Sequence, residues 1–323
     1  MRALLALAGL VLVVAVAAPP ALAQQWTPLA PESPNAEEIR TSYLFVSIFI
    51  LGIFVLVQGL LLTFVVRYRR RRRERFQDGV QIHGSTKLEV AWTAGPVLIL
   101  FAIGTFVFLA LPGITDPPEA RASDELEIRV EGRQFYWQYE YPNGVVAVDR
   151  LRAPAGVPVR LVVTAPDADV IHSWWIPALG GKIDAIPGHV NDTWFLAERP
   201  GTYPGQCAEL CGVEHAKMLA VAEVLEEDVF DAWLEERAAE QAEVSLELGE
   251  ELWEGVCAKC HGSAGEGGIA PRIAGSPTLS DAETLERVVR NGVRTMPAVG
   301  AGWSDQQMRA LIGYLRESPP NGN

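Results

Sequence analysis

The sequence predicts a multidomain chain, in which a two-helix membrane hairpin carries a small β-sandwich or barrel followed by an all-helical domain. Three observations predict it. Two long uncharged apolar stretches flank an arginine block, short Val-, Ile- and aromatic-rich segments with Pro/Gly turns follow, and the chain then becomes acidic and helical. The totals agree, since 323 residues leave room for more than one domain. Hydrophobic residues reach 49% while the formal charge is -13. The apolar excess lies before residue 115 and the acidity after it. All 4 cysteines fall into two short clusters, Cys207 with Cys211 and Cys257 with Cys260. None is left for a scattered disulfide framework, so paired use in metal or cofactor chemistry is expected.

Residues 1–23 read as a secretory signal: Arg2 is the charged start, Leu4 to Ala18 the apolar run, and Ala21-Leu22-Ala23 the cleavage site. The rival reading, a third span, meets a short run ended by Pro19 and Pro20. Residues 24–41 are then an exported N-terminal segment. Ser42 to Val66 and Ala91 to Ile114 contain no charge, and a bilayer needs about 20 apolar residues, so 42–66 and 91–114 are the expected transmembrane helices. Pro96 sits near the start of the second, where a helix tolerates it. The loop 67–90 carries Arg67-Tyr68-Arg69-Arg70-Arg71-Arg72-Arg73-Glu74-Arg75. Between two spans this is the positive-inside signal rather than a nucleic-acid patch. Both termini, and everything after Ile114, are expected outside the cytoplasm.

From Glu125 the pattern changes. Glu125 to Val130, Pro158 to Thr164 and Val190 to Phe195 read as strands, punctuated by Pro154-Ala155-Gly156 and Pro200-Gly201. They predict the sandwich or barrel over residues 119–226. The acidic run after Leu225 reads as a helical linker, 227–244, leading into a helical domain, 245–318.

The densest chemistry is Cys207-Ala208-Glu209-Leu210-Cys211-Gly212-Val213-Glu214-His215-Ala216-Lys217-Met218, with His172 upstream after Asp169-Val170-Ile171. Soft thiolate and thioether donors beside imidazole favour copper. A mononuclear blue-copper site needs one cysteine. A second, four residues on, lets two thiolates bridge two copper ions, with His172 and His215 terminal on each. A shared pair delocalises one electron over both metals and keeps the change of geometry on reduction small. A disulfide and a zinc site with His215 are the alternatives, and neither accounts for Met218 together with His172.

Cys257-Ala258-Lys259-Cys260-His261 is the covalent c-type haem pattern, with the thiols as thioethers and His261 on the iron. It closes a helical segment, Glu247 to Val256. Arg294-Thr295-Met296-Pro297 offers a thioether on a loop, and Met opposite His raises haem potential. An amphipathic helix, Asp305 to Arg316, is expected to pack across the first, with Met308 in its core. A zinc knuckle lacks a fourth ligand of the right type. A phosphate loop at Gly262 to Gly268 lacks a preceding strand.

Three stretches carry a family resemblance: Asp169-Val170-Ile171-His172-Ser173-Trp174, Asp184-Ala185-Ile186-Pro187-Gly188 and Gly205-Gln206-Cys207-Ala208-Glu209-Leu210-Cys211-Gly212. Over about Glu37 to Leu234, hairpin included, the chain resembles cytochrome c oxidase subunit II. The resemblance implies a cupredoxin-like Greek-key β-barrel whose dinuclear CuA centre is held by His172, Cys207, Cys211, His215 and Met218. It also implies that the backbone carbonyl of Glu209 completes the coppers and that its carboxylate reaches a magnesium ion shared with subunit I, a hard cation that prefers oxygen. Gly132-Arg133-Gln134-Phe135-Tyr136-Trp137-Gln138-Tyr139 is similar to the family's aromatic stretch near the copper. Phe135 stands where the family has its donor-facing tryptophan, and Phe135 and Trp137 are the expected electron-transfer residues. His189 stands where the family commonly has arginine and is not a ligand. Glu89 resembles the carboxylate at the mouth of a proton channel into subunit I; the plain alternative is a solvated interfacial charge.

The last domain resembles a class I cytochrome c, in which the carbonyl of Pro271 holds the proximal histidine. A subunit II with a fused haem c resembles those of caa3-type oxidases. That implies two coppers and one covalent haem c, and transfer from a cytochrome c donor through haem c and CuA to the oxygen-reducing subunit I of a proton-translocating enzyme. Subunit III and membrane lipid are further expected partners, nucleic acid is not, and the location is the bacterial inner membrane with the C-terminal domains on its outer face. Tethering makes the haem-to-copper step intramolecular, and the acidic exported part suits a basic donor. A free-standing anchored electron-transfer protein is the alternative of a different class, opposed by the paired spans and Glu89. Quinol oxidase subunits lack the copper ligands, and nitrous oxide reductase lacks the hairpin.

Overall fold

The computed structural model describes residues 30–68, 81, 83–117 and 125–320. The expected signal segment and the arginines from Arg69 to Arg75 lie outside the described residues. Two long helices, α1 (Pro34–Tyr68) and α2 (Thr86–Thr115), make up one unit, Glu37–Ile114. Their large apolar side chains face outward, with Phe101 73% and Phe108 74% exposed. Water penalises such a surface, hydrocarbon accepts it, and the helices satisfy their own backbone polar groups. The rings of Phe45 and Phe106 stack with centroids 4.0 Å apart and tie the helices together.

Helix α1 starts at Pro34, well before the uncharged run, because proline is pre-set for a first helical position. Helix α2 likewise starts early, at Thr86, so Pro96 lies inside it rather than near its start, and the Trp92 carbonyl loses its intrahelical donor. The segment before α1 and the first residues of the helix are stitched to the β-domain. Glu32 N donates to Ala178 O (2.8 Å), Asn35 Nδ2 to Trp194 O (2.6 Å), and Arg199 Nη2 meets Glu32 Oε1 at 2.6 Å.

The second unit begins its fold with ten strands: β1 (Leu126–Arg133), β2 (Tyr136–Glu140), β3 (Val146–Val148), β4 (Arg150–Pro154), β5 (Val159–Thr164), β6 (His172–Trp175), β7 (Ile183–Ala185), β8 (Asn191–Phe195), β9 (Gly201–Cys207) and β10 (Leu219–Leu225). They form two five-stranded sheets, β3-β2-β1-β5-β8 and β4-β10-β9-β6-β7. Pairs β1–β5 and β4–β10 are parallel and the rest antiparallel. Alternation drives the packing. In β5, Val159, Leu161 and Val163 are fully buried while Arg160 points out. The core contains Ile128, Tyr139 and Leu161 from one sheet and Trp174, Ala220 and Val224 from the other. This is the cupredoxin-like domain that the resemblance implies.

Helix α3 (Glu227–Ala242) leads into α4 (Leu246–Leu252), whose N-terminus is capped by the Ser245 hydroxyl. The chain stays helical through a π-turn, Trp253–Cys257, into α5 (Ala258–His261). Helices α6 (Pro277–Ser280), α7 (Ala282–Asn291) and α8 (Asp305–Glu317) complete a helical cytochrome c domain, with a Ser304–Gln307 capping box opening α8. Its core gathers Leu248, Leu252, Trp253, Leu285, Trp303, Leu311 and Leu315, with Met308 among them as expected. That core also takes in Tyr136 and Val148 of the β-domain. The Tyr136 hydroxyl donates to Val299 O (3.0 Å) and accepts from Trp303 Nε1 (2.8 Å), so the two domains share apolar and polar contacts.

A buried charge cluster closes the junction. Arg237 is 1% exposed and lies 3.0 Å from both Glu247 and Glu251, the latter contact being off the angle of a hydrogen bond. Arg152 pairs with Glu223 at 3.1 Å and stacks over Trp233. Glu251 Oε2 accepts from Val148 N at 3.2 Å. Burial pushes Glu251 up to about 7 from 4.5, against the pull of Arg237, the Val148 N–H and Arg152. Between those pH values the folded chain holds a proton that the unfolded chain has released. Stability therefore falls as pH rises from about 4.5 to about 7 and levels off above, by roughly 3 kcal/mol in all. Thermal unfolding followed across that window should show the slope, and Glu251→Gln should remove most of it.

Candidate metal centre

Strands β6 and β9 are neighbours, with Trp174 paired to Cys207, so His172 at the head of β6 lies beside the end of β9. The loop after Cys207 returns through a short turn, His215–Lys217, into β10, and Cys207 N donating to Met218 O (2.8 Å) pinches its two ends together. This closure folds a linear motif into a cluster. The ligand atoms of His172, Cys207 and Cys211 lie within 4.8 Å of one another, and all three residues are buried. Cys211 Sγ is 3.9 Å from Cys207 Sγ, 3.6 Å from His215 Nδ1 and 3.7 Å from Met218 Sδ. The Glu209 carbonyl lies 3.2 Å from Cys207 Sγ, while its side chain is exposed.

The two thiols are free, not joined in a disulfide. Half their separation is shorter than the roughly 2.3 Å of a zinc–thiolate bond, so ions on either side of the sulfur pair reach both. His172 points the right way for one of them. Its Nε2 lies 3.2 Å from Asp169 Oδ1, a carboxylate that only accepts, which makes Nδ1 the ring nitrogen left for a ligand. That Nδ1 is buried and has no hydrogen-bond partner. Burial lowers the His172 pKa, but Asp169 and Cys207 outweigh it and raise it. The two thiols are in contact, and that contact pulls the Cys207 pKa down and pushes the Cys211 pKa up. Two thiolates side by side require cations between them, and the residues present fit a copper pair.

Trp137 of β2 is fully buried, with its ring 6.1 Å from that of His172, and Phe135 is half-buried in the turn between β1 and β2. Sequence reasoning missed three supports. Asp169 orients His172, and Gln134 Nε2 holds Cys211 O at 2.7 Å. Asp149 receives the Trp137 N–H at 2.9 Å. Asp169 lies three residues before His172, a visible signal; the other two are brought in only by the fold.

At the second cluster, burial pushes Cys257 up to about 12 and raises Cys260 as well. His261 Nδ1 is 2.8 Å from Pro271 O, and a carbonyl only accepts, so Nδ1 donates and Nε2 is left for iron. Met296 is held half-buried in a tight turn by reciprocal backbone bonds with Val293, outside the core that holds Met308. These residues fit haem c. Glu89 lies in the first turn of α2, where its carboxylate accepts from Ser85 N at 3.3 Å as a helix cap.

Comparison with known proteins follows this layout. Family models described as the transmembrane and periplasmic domains of cytochrome c oxidase subunit II match residues 23–110 and 144–225. A model described as cytochrome c oxidase, cbb3-type, subunit III matches residues 245–315. Cytochrome c oxidase subunit 2 of Alkalihalophilus pseudofirmus is 35% identical over 318 residues, covering 90% of each chain. That of Cereibacter sphaeroides is 35% identical over 256 residues, 67% of this chain and 81% of the relative. Among solved structures, the periplasmic domain of subunit II of Bradyrhizobium japonicum cytochrome oxidase is 37% identical, with a TM-score of 0.34. It covers 36% of this chain and 94% of that one.

Proposed function

The chain belongs to the cytochrome c oxidase subunit II family, and from that premise we propose that it relays electrons from cytochrome c to the oxygen-reducing subunit I, by way of haem c and then CuA, in a proton-translocating oxidase. The observation that carries this reading is the convergence of His172, Cys207, Cys211, His215 and Met218 in one buried cluster, on a domain that shares a core with the haem-type domain. When bound, the copper pair and the haem each supply one-electron oxidation and reduction.

The remaining work belongs to the side chains. Cys207, Cys211, His172, His215, Met218 and the backbone carbonyl of Glu209 would hold the copper pair. Asp169 fixes the His172 ring. Cys257 and Cys260 would hold the haem through thioethers, and His261 and Met296 would serve its iron. Phe135 and Trp137 line the approach to the copper, the Glu209 carboxylate offers oxygen to a magnesium ion shared with subunit I, and Glu89 lies at a proton-channel mouth. Subunit III and lipid complete the assembly. The strap at Glu32–Asn35, stitched to the β-domain, supports a common outer side for both termini.

Purification of the full chain in mild detergent should bring down a polytopic haem-bearing subunit, with two coppers and one covalent haem on this chain. A chain that purifies alone overturns the oxidase assignment. Replacement of Met296 by Leu should leave the haem covalently attached but lower its midpoint potential, by a sizeable fraction of the roughly 0.8 V that axial ligands span. Redox titration reads this directly.

A further inference from the structure

We propose that Lys259, inside the Cys257–His261 segment, is a positioning residue that clamps this segment to the copper-bearing domain and so fixes the separation of the two redox loops. The proposal rests on the haem and copper assignments above. The attachment pattern itself asks only for the two cysteines and the histidine, so haem attachment does not explain what Lys259 does.

The contacts are specific. Lys259 Nζ donates to Phe135 O at 2.9 Å and meets Asp149 Oδ2 at 2.5 Å, with its side chain only 13% exposed. Asp149 is itself fixed on the β-domain. Its other carboxylate oxygen takes the Trp137 N–H at 2.9 Å, its own N–H goes to Trp137 O at 2.8 Å, and its carbonyl takes Val221 N at 3.0 Å. It sits at φ 59, in the left-handed region that aspartate tolerates, at the corner between β3 and β4. That corner comes so close to the π-turn that a Cβ on Gly255 would lie 2.7 Å from Val148 Cγ1 and 3.1 Å from Asp149 Oδ2. Only a residue without a side chain fits there.

From Phe135 the link continues to the copper loop, because the neighbouring Gln134 holds the carbonyl of Cys211 at 2.7 Å. A return strap runs the other way. Lys217, between His215 and Met218, donates from Nζ to Lys259 O at 3.1 Å and pairs with the buried Glu214 at 2.8 Å. The two lysines are not equal. Hydrogen bonds to a charged, shielded group shift a local equilibrium by roughly tenfold to a hundredfold. The Lys217 side chain is 57% exposed, and such pairs shift it by only about two- to fivefold. Lys259 therefore does most of the clamping.

The test uses the intact holo-oxidase in detergent, with Lys259→Met, Lys259→Arg and Lys217→Met chains. Amide hydrogen exchange is read at residues 257–262 and 134–137, alongside the rate of haem-to-copper transfer after rapid reduction of the haem. For Lys259→Met, exchange at these two segments should quicken roughly tenfold or more. Transfer should slow by about tenfold or more as the loops lose their fixed geometry, with metal content and spectra unchanged. Arginine, which can donate to both acceptors, should restore much of each, and Lys217→Met should change them only a few-fold. Unchanged exchange and transfer in Lys259→Met overturn the clamp. So does faster exchange spread evenly over the whole helical domain with transfer unaltered, which marks Lys259 as a stabilising residue only. A wild-type chain without covalent haem or without copper fails the functional assignment itself, and is recognised by metal and haem analysis before any variant is made.

Discussion

Replacement of Cys207 by serine should empty both copper positions and leave the haem spectrum intact. The expectation follows from what the sulfur does in the cluster. Cys207 Sγ lies 3.9 Å from Cys211 Sγ, and its contact with that thiol lets one of the pair ionise readily while the other is held protonated. Serine supplies a hydroxyl that does not ionise near neutral pH and is a hard oxygen donor, poorly matched to copper. A sulfur placed between two ions would serve both, so its loss should be felt at both. Structural thiolate sites hold metal with on the order of 10 kcal/mol, and removing a shared ligand takes away a large part of that. The haem-type cluster uses different cysteines, 257 and 260, on different elements. Copper analysis and the visible spectrum of one preparation decide the matter. Retention of two coppers would remove Cys207 from the site, and simultaneous loss of haem would contradict independent centres.

Much of the layout was legible because strong, local signals carried it. Uncharged runs marked α1 and α2, and the alternation of Val159, Leu161 and Val163 marked β5. The final helix, expected over Asp305 to Arg316, spans Asp305–Glu317 because its capping box and amphipathic pattern agree. The strands that build the copper site were not legible. Strand β9 contains Gly201, Pro204 and Gly205, and β6 is only His172–Trp175. The first is broken by glycine and proline and the second is too short to show an alternation, so both owe their form to pairing with neighbours within the sheet.

The ligand types at the centre were readable from one twelve-residue stretch plus His172, because metal chemistry restricts the side chains that serve it. The supports around them were not. Arg237 lies in the stretch 227–244, which reads only as an acidic helical linker, yet it is buried and pairs with Glu247 and Glu251. Tyr136 belongs to the aromatic stretch likened to the family's copper-side segment, yet it joins the core of the following domain. Asp149 and Lys259 are 110 positions apart in sequence and carry no motif. Such contacts depend on how two finished domains meet, and no periodicity within either records that.

The counterpart to the copper variant is Gly249→Val, which should collapse the helical domain while sparing the copper. Gly249 lies in α4 where it crosses α8. A Cβ there would overlap the carbonyl oxygen of Ala310 and come 2.6 Å from Tyr314 Cβ. The obstacle is backbone, so no rotamer change relieves it. Helix propensity favours alanine over glycine by about 1 kcal/mol, and a compliant neighbour would let that gain prevail. Here the helices must instead separate, which loosens the packing of Leu248 and Leu252 against Leu311 and Leu315, all buried. Overpacking costs about 1–3 kcal/mol, and valine adds branched methyl groups to the same overlap. For a small domain with only about 5 kcal/mol of stability, that is a large share. Limited proteolysis should then cut within the helical domain of Gly249→Val and, more slowly, of Gly249→Ala, while the copper signal stays with the protected β-domain. Full protease resistance in the valine chain would show that the crossing has room that these contacts deny.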